Sequence, residues 1–361
     1  MSKSTHWAKE DILRLSLLRA VPYRLQNKII ESFPSLDAFL QNPPDWFNAK
    51  INDIFNKYAD SKDFDIILEK LHKNNIAFTT IFEDDYPQNL KHIEYAPIVL
   101  YYKGIINNDR KCIAIVGTRK NTLYGKIATE KIVAELVANG IAVVSGLAYG
   151  IDSIAHRETL KNKGITYAVV ASGIDEISPQ ISKELAAKII NSGGAVISEY
   201  PPGMKAKPQY FPQRNRIISG ISIALIVIES DTKGGSMITA RFAADQNREI
   251  FALPGQISSS KSAGCNRLIH DNIATAILSP ESPLVDLGIV DKIDFSQKNQ
   301  EIKFDDDLQK MIFEEISSEP LHIDVLADKL NTDVATLLVK LLELEFKGLA
   351  RQLPGKYFIK K

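Results

Sequence analysis

The sequence predicts a doubly wound α/β domain with a mostly parallel sheet, placed between an N-terminal helical domain and a C-terminal winged-helix domain. Six short apolar runs lack any alternation of apolar and polar residues, which is typical of strands buried on both faces of a parallel sheet. Stretches long enough for crossover helices separate these runs. The runs are Cys112–Val116, Ile141–Ser145, Tyr167–Ala171, Ala195–Ser198, Ile221–Ile228 and Ile250–Leu253.

The flanking segments have different patterns. Residues 1–75 are predicted to be helical, because apolar residues such as Ile12 and Leu15 recur at helical spacing. Residues 76–282 form the predicted sheet domain, and residues 283–307, with seven acidic and three basic residues, a linker. In residues 308–361 three helical patterns precede a hairpin that turns at Pro354-Gly355, which is the order of a winged helix.

Composition excludes several classes of protein. The 361 residues include 44 basic and 44 acidic ones, so the chain is no histone-like polycation. Two cysteines cannot build a disulfide framework, and no apolar stretch reaches the about 18 residues of a membrane span. The N-terminus lacks the uninterrupted apolar core of a signal peptide. We therefore expect a cytoplasmic protein with no membrane contact.

Four loops at the predicted carboxyl edge of the sheet carry candidate binding residues, because ligands of open parallel sheets bind at that edge. The first loop holds Gly117, Thr118 and Arg119, and the second begins at Gly146. The third mixes cations with aromatic rings, as single-stranded nucleic acid requires. It runs through Lys205, Lys207, Tyr210, Phe211, Arg214, Asn215 and Arg216. The fourth holds Lys233, Gly234 and Ser236 and enters a helix.

Other motifs are missing from the sequence. There is no GxxxxGK[ST], no GxGxxG after the first strand, and no CxxC pair or HExxH, so we expect neither a cofactor nor a metal. Asp152 and His156 are four residues apart, as two metal ligands or an acid–base pair can be. A simpler interpretation makes Asp152 a helix N-cap and His156 its neighbour in the first turn.

Several long motifs, in a fixed order, resemble the DNA-processing protein A family, also called DprA or Smf. The resemblance covers about residues 80–282. Its motifs are VGTR (Val116–Arg119), SGLAYGIDSIAH (Ser145–His156), SEYPPG (Ser198–Gly203), FPQRNRIISG (Phe211–Gly220) and KGGSMITARFA (Lys233–Ala243). The terminal domains match the family only in type.

The resemblance implies a Rossmann-like central domain, a SAM-like helical domain before it, and a role without catalysis. Family members bind and protect single-stranded DNA in natural transformation and recombination, help to load the RecA recombinase, and dimerise through the Rossmann-like domain. The arginine of the family's G-[ST]-R motif falls on Arg119. A family lysine falls on Lys207, and a family aromatic falls on Phe211 or Tyr210.

We therefore predict sequence-independent binding of single-stranded DNA. Phosphates would contact Arg119, Lys207, Arg214 and Arg216, and Phe211 would stack on a base. Gly117, Thr118 and Gly146 would donate hydrogen bonds. A structural role for the arginines of the RNR stretch, bracing a loop through its carbonyl groups, stays open.

Two alternatives compete with this prediction. The GGSMITA loop is similar to that of phosphoribohydrolase-like Rossmann enzymes, but Ala240 and Arg241 stand where those enzymes carry a catalytic glutamate. A transcription regulator would instead read DNA with the winged helix. Its candidate recognition helix, Asp333–Phe346, has only Lys340 as a base against three acidic residues, and phosphates would repel such a helix.

Overall fold

The computed structural model describes residues 7–17, 23–44, 63–177, 179–291, 304–317 and 319–360. Contacts divide the chain into two units, Met1–Val290 and Asp291–Lys361. Within the described ranges, no helix is long and apolar enough to cross a lipid bilayer.

A nine-stranded sheet forms the centre of the first unit, with the strand order β1-β2-β6-β5-β4-β3-β7-β8-β9. Strand β2 runs antiparallel to both neighbours, and the seven strands from β6 to β9 in this order are parallel. The doubly wound, mostly parallel prediction is confirmed, with all six predicted strands present. The strands are Ala77–Thr80, Val99–Gly104, Cys112–Val116, Ala142–Ser145, Thr166–Val169, Ala195–Ser198, Ala224–Val227, Glu249–Ala252 and Thr275–Ala276, numbered β1 to β9.

The chain reverses its direction across the sheet at β3. From β3 it adds β4, β5 and β6 on one side, and it then returns to place β7 against the other side of β3. Such a switch point is where open parallel sheets bind their ligands. The first and fourth predicted loops are therefore neighbours, because they follow β3 and β7.

Helices cover both faces of the sheet. Ile113 and Ile115 of β3 pack with Ile132 and Ile151 on one face, and Ala114 of the same strand packs on the other face. This alternation explains why the strands read as continuous apolar runs. The described helices of the first unit, numbered α1 to α12, are Lys9–Leu17, Tyr23–Ser32, Leu36–Gln41, Asp63–Lys73, Gln88–Lys91, Leu123–Ala138, Ile151–Lys161, Gln180–Asn191, Tyr210–Ile221, Gly235–Asp245, Ser260–His270 and Ser282–Asp286.

The N-terminal helices pack directly on the sheet domain. Leu13 and Leu15 of α1 share one buried cluster with Tyr101 of β2 and Ile189 of α8. The helical character predicted for residues 1–75 is present in the described part, and residues 1–6, 18–22 and 45–62 lie outside it. The SAM-like assignment and the boundary at residue 75 stay predictions.

The predicted linker, 283–307, begins too early. Residues Ser282–Asp286 form α12, and its Leu284 is fully buried against the sheet. Although this segment is acidic, its apolar side chains pack on the core, so the first unit extends to Val290. Residues 292–303 lie outside the described part of the chain.

The second unit has the predicted winged-helix order. Asp333 caps its third helix by accepting a hydrogen bond from the backbone N–H of Thr336 at 2.9 Å. The turn of the hairpin contains Gly355 at φ +80°, a conformation that favours glycine. The elements, numbered onward in chain order, are α13 Asp307–Glu315, β10 Leu321–His322, α14 Ile323–Leu330, α15 Val334–Phe346, β11 Ala350–Leu353 and β12 Tyr357–Lys360.

Candidate nucleic-acid interface

A cavity of about 270 Å³, called the central cavity below, opens beyond the carboxyl ends of β3 and β7. The first and fourth predicted loops line it, together with the start of α9. It brings together eight of the predicted site residues: Gly117, Thr118, Arg119, Phe211, Arg214, Asn215, Gly234 and Ser236. Lys205, Lys207 and Lys233 are exposed in the neighbouring loops, and Tyr210 is half-buried.

Arg119 and Phe211 form a cation–aromatic pair in the lining of the cavity. The guanidinium carbon of Arg119 lies 5.7 Å from the centroid of the Phe211 ring, within the range of a cation–π interaction. Arg119 is exposed, and none of the described carboxylates forms an ion pair with it. Its charge is therefore available to an anion, beside an aromatic ring that is already in place.

Tyr210 is fixed by a second aromatic contact. Its ring stacks on Tyr200 with centroids 4.6 Å apart and planes inclined by 29°. The ammonium nitrogen of Lys207 lies 5.9 Å from the Tyr210 centroid. Both predicted aromatic residues thus have a cation beside them, and Tyr200, which the sequence did not single out, supports one of them.

Arg214 lines the floor of the central cavity but is buried. One guanidinium nitrogen donates to the Gly146 carbonyl at 2.7 Å and also to the Val169 carbonyl. These two carbonyls belong to the ends of β4 and β5, so Arg214 ties the strand ends together. Burial lowers the pKa of Arg214 to about 10, and the Asp152 carboxylate opposes this shift. The structural role that the sequence left open, in which an arginine braces a loop through its carbonyl groups, is thus present at Arg214.

Gly146 leaves room for the side chains of Arg214 and Asp152, and both of its backbone polar groups are hydrogen-bonded within the protein. A Cβ atom there would lie 2.6 Å from an Arg214 nitrogen and 2.7 Å from an Asp152 oxygen. Its N–H donates to Asp152 at 3.1 Å, and its carbonyl accepts from Arg214. The predicted hydrogen bond from Gly146 to a ligand is therefore replaced by bonds within the protein.

Asp152 is not the helix N-cap that the sequence suggested, because Gly150 occupies that position. Its carboxylate instead accepts backbone hydrogen bonds from Gly146 and Ala148, at 3.1 and 3.4 Å. Burial raises the pKa of Asp152 to about 6, and Arg214 and these hydrogen bonds limit the rise. The loop they hold is strained at Leu147, whose φ is +57°.

Arg216 lies away from the cavity, in a buried ion pair. Its guanidinium contacts the Glu199 carboxylate at 2.6 Å, with side-chain exposures of 5% and 2%. Leaving either charge alone in this interior would be strongly unfavourable. The pair joins α9 to the loop after β6, so the structure places Arg216 in the framework and not among groups that face a ligand.

The loop after β3 is anchored by a buried carboxylate. Glu229, which follows β7, accepts from the backbone N–H of Thr122 at 2.9 Å and from its hydroxyl at 2.5 Å. The N–H of Thr118 donates to the Glu229 carbonyl at 2.7 Å. Gly117 has no room for a side chain, since a Cβ would lie 2.6 Å from Ile151. These contacts fix the backbone that carries Arg119.

The fourth loop also has its hydroxyl groups in use. Ser236 is buried and donates to the Ser230 hydroxyl at 2.7 Å. Asn215 reaches the Gly235 carbonyl at 3.4 Å. Helix α10 begins here, and the N–H groups of a first helical turn lack partners inside the helix. The N–H of Met237 in this turn already donates to the Gly234 carbonyl at 3.0 Å, so the first two N–H groups of the helix and the exposed Lys233 are what this loop offers to an anion.

His156 is fully buried behind this edge of the sheet. The Thr166 hydroxyl donates to the Val143 carbonyl at 2.7 Å, so it must accept from His156 Nδ1, also at 2.7 Å. The proton therefore sits on Nδ1, and Nε2 has no partner among the described residues. Burial, with a contribution from Arg214, lowers the pKa of His156 to about 3. No described group of His, Cys, Asp and Glu could hold a metal ion.

Three carboxylates that support the site, Asp152, Glu199 and Glu229, were not predicted in that role from the sequence. Glu199 and Glu229 each directly follow an apolar run, where a carboxylate needs a buried donor, whereas Asp152 lies in the first turn of α7. Their partners are distant in sequence, as with the 107 residues between Thr122 and Glu229. An acidic residue beside an apolar run indicates a buried carboxylate. Nothing in the sequence indicates which residue is its partner.

Together, these features define a doubly wound α/β protein whose candidate site is an open cavity, lined by two arginines and the ring of Phe211, at the switch point of its sheet. The chain belongs to the DNA recombination-mediator protein A family. The model of that family matches residues 77–288, and the model of the DprA winged helix domain matches residues 297–356. The family resemblance found in the sequence, and its winged helix, are therefore confirmed.

Individual relatives agree with this assignment. The protein Smf of Synechocystis is 35% identical over an alignment of 324 positions that covers 80% of this chain and 81% of the relative. The X-ray structure of DNA processing protein A from Streptococcus pneumoniae matches with a TM-score of 0.66 and 32% identity, over 77% of this chain and 98% of that one. DNA processing protein A from Helicobacter pylori, solved for its single-stranded DNA binding mode, matches with a TM-score of 0.52 and 29% identity, over 58% and 95%.

Proposed function

We propose that this protein binds single-stranded DNA without sequence preference, in the cytoplasm, during recombination and natural transformation. The observation that carries the proposal is the Arg119–Phe211 pair at the central cavity. A cation beside an aromatic ring suits a phosphate and its neighbouring base, whatever that base is. The solved relative from Helicobacter pylori, described by its single-stranded DNA binding mode, supports the proposal.

The residues divide into ligands and supports. Arg119 and Lys207 bind phosphates, Phe211 and Tyr210 offer stacking faces, and the exposed Lys205 and Lys233 add positive charge at the rim. The first turn of α10 contributes backbone N–H groups. The buried residues Arg214, Arg216, Gly146 and Ser236 shape the site through contacts inside the protein.

The test is fluorescence anisotropy with a labelled oligothymidine, against a duplex of equal length, at two salt concentrations. Single-stranded DNA should bind preferentially. If three phosphates are neutralised, the log–log dependence of affinity on salt should have a slope of about −2. Equal affinity for duplex and single strand, or affinity independent of salt, would reject the proposal.

We propose further that the protein protects its DNA and helps to load the RecA recombinase. Support comes from the family assignment and from the openness of the site, because a strand held at a surface edge stays accessible to a second protein. Two assays separate the activities. Nuclease digestion of bound oligonucleotide tests protection. The rate of RecA filament formation on strands covered with single-strand-binding protein tests loading.

A homodimer through the Rossmann-like domain is also part of the proposal. Strand β9 is the last strand in the sheet order, and exposed apolar side chains precede and follow it in the chain. Ile257 is 99% exposed and Leu278 83% exposed, and Ile273 is exposed nearby in sequence. Exposed apolar groups beside an open sheet edge favour pairing with a second copy.

The alternative function is that of a nucleotide-binding or phosphoribohydrolase-like enzyme. The position of the cavity favours it, because switch points commonly bind nucleotides. We nevertheless propose a role without catalysis, since Ala240, at the place of the catalytic glutamate, is a fully buried residue that packs in the core. Chromatographic detection of free base released from AMP would contradict this proposal.

The winged helix is proposed to contact protein and not DNA. Lys340, the sole base of the predicted recognition helix, is bonded to Asp306 at 2.7 Å and to Glu343 at 3.0 Å. Its charge is therefore compensated. Val339, Leu342 and Phe346 are exposed on the same helix, which suits an apolar partner better than a phosphate backbone. These observations speak against a transcription regulator.

A further inference from the structure

Two further cavities follow the central cavity outward, and each shares lining residues with the one before it. The first, of about 150 Å³, shares Arg119, Ala148 and Phe211 with the central cavity. The second, of about 370 Å³, shares Tyr149 with the first. We call this pair the side channel. It leaves the ligand site across the loop before α7 and ends between α6 and α7.

Tyr149 stands where the two cavities of the side channel meet. Its side chain is 53% exposed, although it belongs to a loop whose backbone is tightly held. At Gly150, the next residue, a Cβ would lie 2.3 Å from the Thr118 carbonyl, so the backbone here is pressed against the loop that carries Arg119. An exposed aromatic ring on a fixed backbone, a short way from Phe211, is a second stacking platform for a base.

Arg157 supplies the uncompensated charge of the channel. Two cations, Lys126 and Arg157, and two carboxylates, Glu130 and Glu158, line its outer cavity. Lys126 lies 3.8 Å from Glu130.

Glu158 is held by its own partners, since its carboxylate accepts from Lys161 at 2.9 Å and from Asn162 at 2.9 Å. Arg157 is exposed and forms no ion pair with any described residue. The uncompensated charge of the outer cavity is therefore positive, and the exposed ring of Tyr149 lines the same cavity.

We propose that the side channel carries the DNA strand out of the central cavity, with Tyr149 stacking on a base and Arg157 binding a phosphate. This inference rests on the proposed function, because it extends the path of the same strand. The order along the path is Arg119 and Phe211, then Tyr149, then Arg157. Only a strand long enough to leave the central cavity reaches the last two residues.

The test compares a short and a long oligothymidine, of about 4 and about 16 nucleotides, the limits of the site sizes known for single-strand-binding OB folds. Tyr149→Ala/Arg157→Ala is measured against the unchanged protein by anisotropy. Both side chains are exposed, so the melting temperature should not change. The long strand should bind at least tenfold more weakly, and the short strand equally well. Arg157→Ala alone should make the salt slope for the long strand shallower by about 0.7.

Matched variants sharpen the result. Tyr149→Phe keeps the ring and should keep the affinity. Lys131→Ala removes an exposed cation on α6 that lines neither cavity, and should change nothing. Unchanged binding of the long strand by the double variant would overturn the side channel while leaving the proposed function intact. Equal loss for both strands would also overturn it, since the residues would then belong to the central cavity. If the unchanged protein binds neither strand, the proposed function itself fails.

Discussion

Arg119 lies over the ring of Phe211, with 5.7 Å between the guanidinium carbon and the ring centroid. The two residues are 92 positions apart in the numbering and belong to different elements, Arg119 to the loop after β3 and Phe211 to the first turn of α9. Their contact joins the charge and the aromatic face of the site. The nearby Arg214, in contrast, donates its hydrogen bonds to carbonyl groups of the framework.

Replacing Arg119 tests its assignment as a phosphate ligand. Arg119→Ala should weaken binding of single-stranded DNA by about tenfold at low salt, because a charge-assisted contact is lost. The log–log salt slope should become shallower by about 0.7. Anisotropy titrations at several salt concentrations give both quantities.

The matched control for Arg119 is Arg110, which precedes the amino end of the same strand and donates to the Gly140 carbonyl at 3.1 Å. Arg110→Ala should leave both the affinity and the salt slope unchanged. The assignment of Arg119 would be lost if its variant folded normally and bound DNA as well as the unchanged protein.

The buried pair of Arg216 and Glu199 should behave as framework. Arg216→Met or Glu199→Met alone leaves one buried charge without a partner and should destabilise the fold by about 3–5 kcal/mol. The double variant removes both charges and should be more stable than either single variant. Urea unfolding of all four proteins gives the comparison. Additive losses in the double variant would argue against a closed, buried pair.

His156 makes the stability of the first unit depend on pH. Its folded pKa is lowered to about 3 by burial, whereas the unfolded chain protonates near pH 6.5. Between these two pH values, the unfolded state therefore binds a proton that the folded state does not bind. The contribution of His156 to the free energy of unfolding is complete above about pH 6.5 and is lost as the pH falls.

His156→Gln removes that titration. Between about pH 6.5 and pH 4, the free energy of unfolding of the unchanged protein should fall faster than that of the variant, by at most about 1.4 kcal/mol per pH unit. Urea unfolding at a series of pH values measures the difference. Parallel pH dependence of the two proteins would show that His156 is not buried in its neutral form.

A charge at the β9 edge should block self-association. Leu278 is 83% exposed, so Leu278→Asp should fold normally in the monomer and yet prevent a dimer that buries this side chain. Sedimentation velocity should show a dimer for the unchanged protein and a smaller species for the variant. Leu342→Asp, on the exposed side of the winged helix, serves as the control. A dimer that persists in Leu278→Asp places the interface elsewhere.

Much of the fold was predictable because burial on both faces leaves a local record. The run Cys112–Val116 is apolar at every position, and the structure buries all five residues. The order of the strands, in contrast, depends on pairings between distant segments. The packing of α1 against β2 left no signal in either segment, and the acidic residues around Leu284 concealed that α12 belongs to the core.

The site was predictable in part, for a related reason. Residue types identified the loops, but they could not separate Arg119 from Arg214 and Arg216, because exposure is decided by the surrounding fold. Arg214 and Arg216 sit on one helix, and each meets an oxygen supplied by another segment: carbonyls of Gly146 and Val169, and the carboxylate of Glu199. A sequence shows which side chains are cationic. It does not show whether a carboxylate or a carbonyl group of the protein already binds such a side chain.

With the proposed function, the stack of Tyr210 on Tyr200 predicts which strands bind most readily. The ring is held by the protein before any nucleotide arrives, so little of its own freedom is lost on binding. Most of the remaining entropy cost of binding then comes from the DNA, because its bases must unstack from one another before they stack on the protein. Flexible pyrimidine tracts should therefore bind more readily than purine tracts that stack on themselves, an apparent selectivity set by polymer stiffness and not by reading the bases.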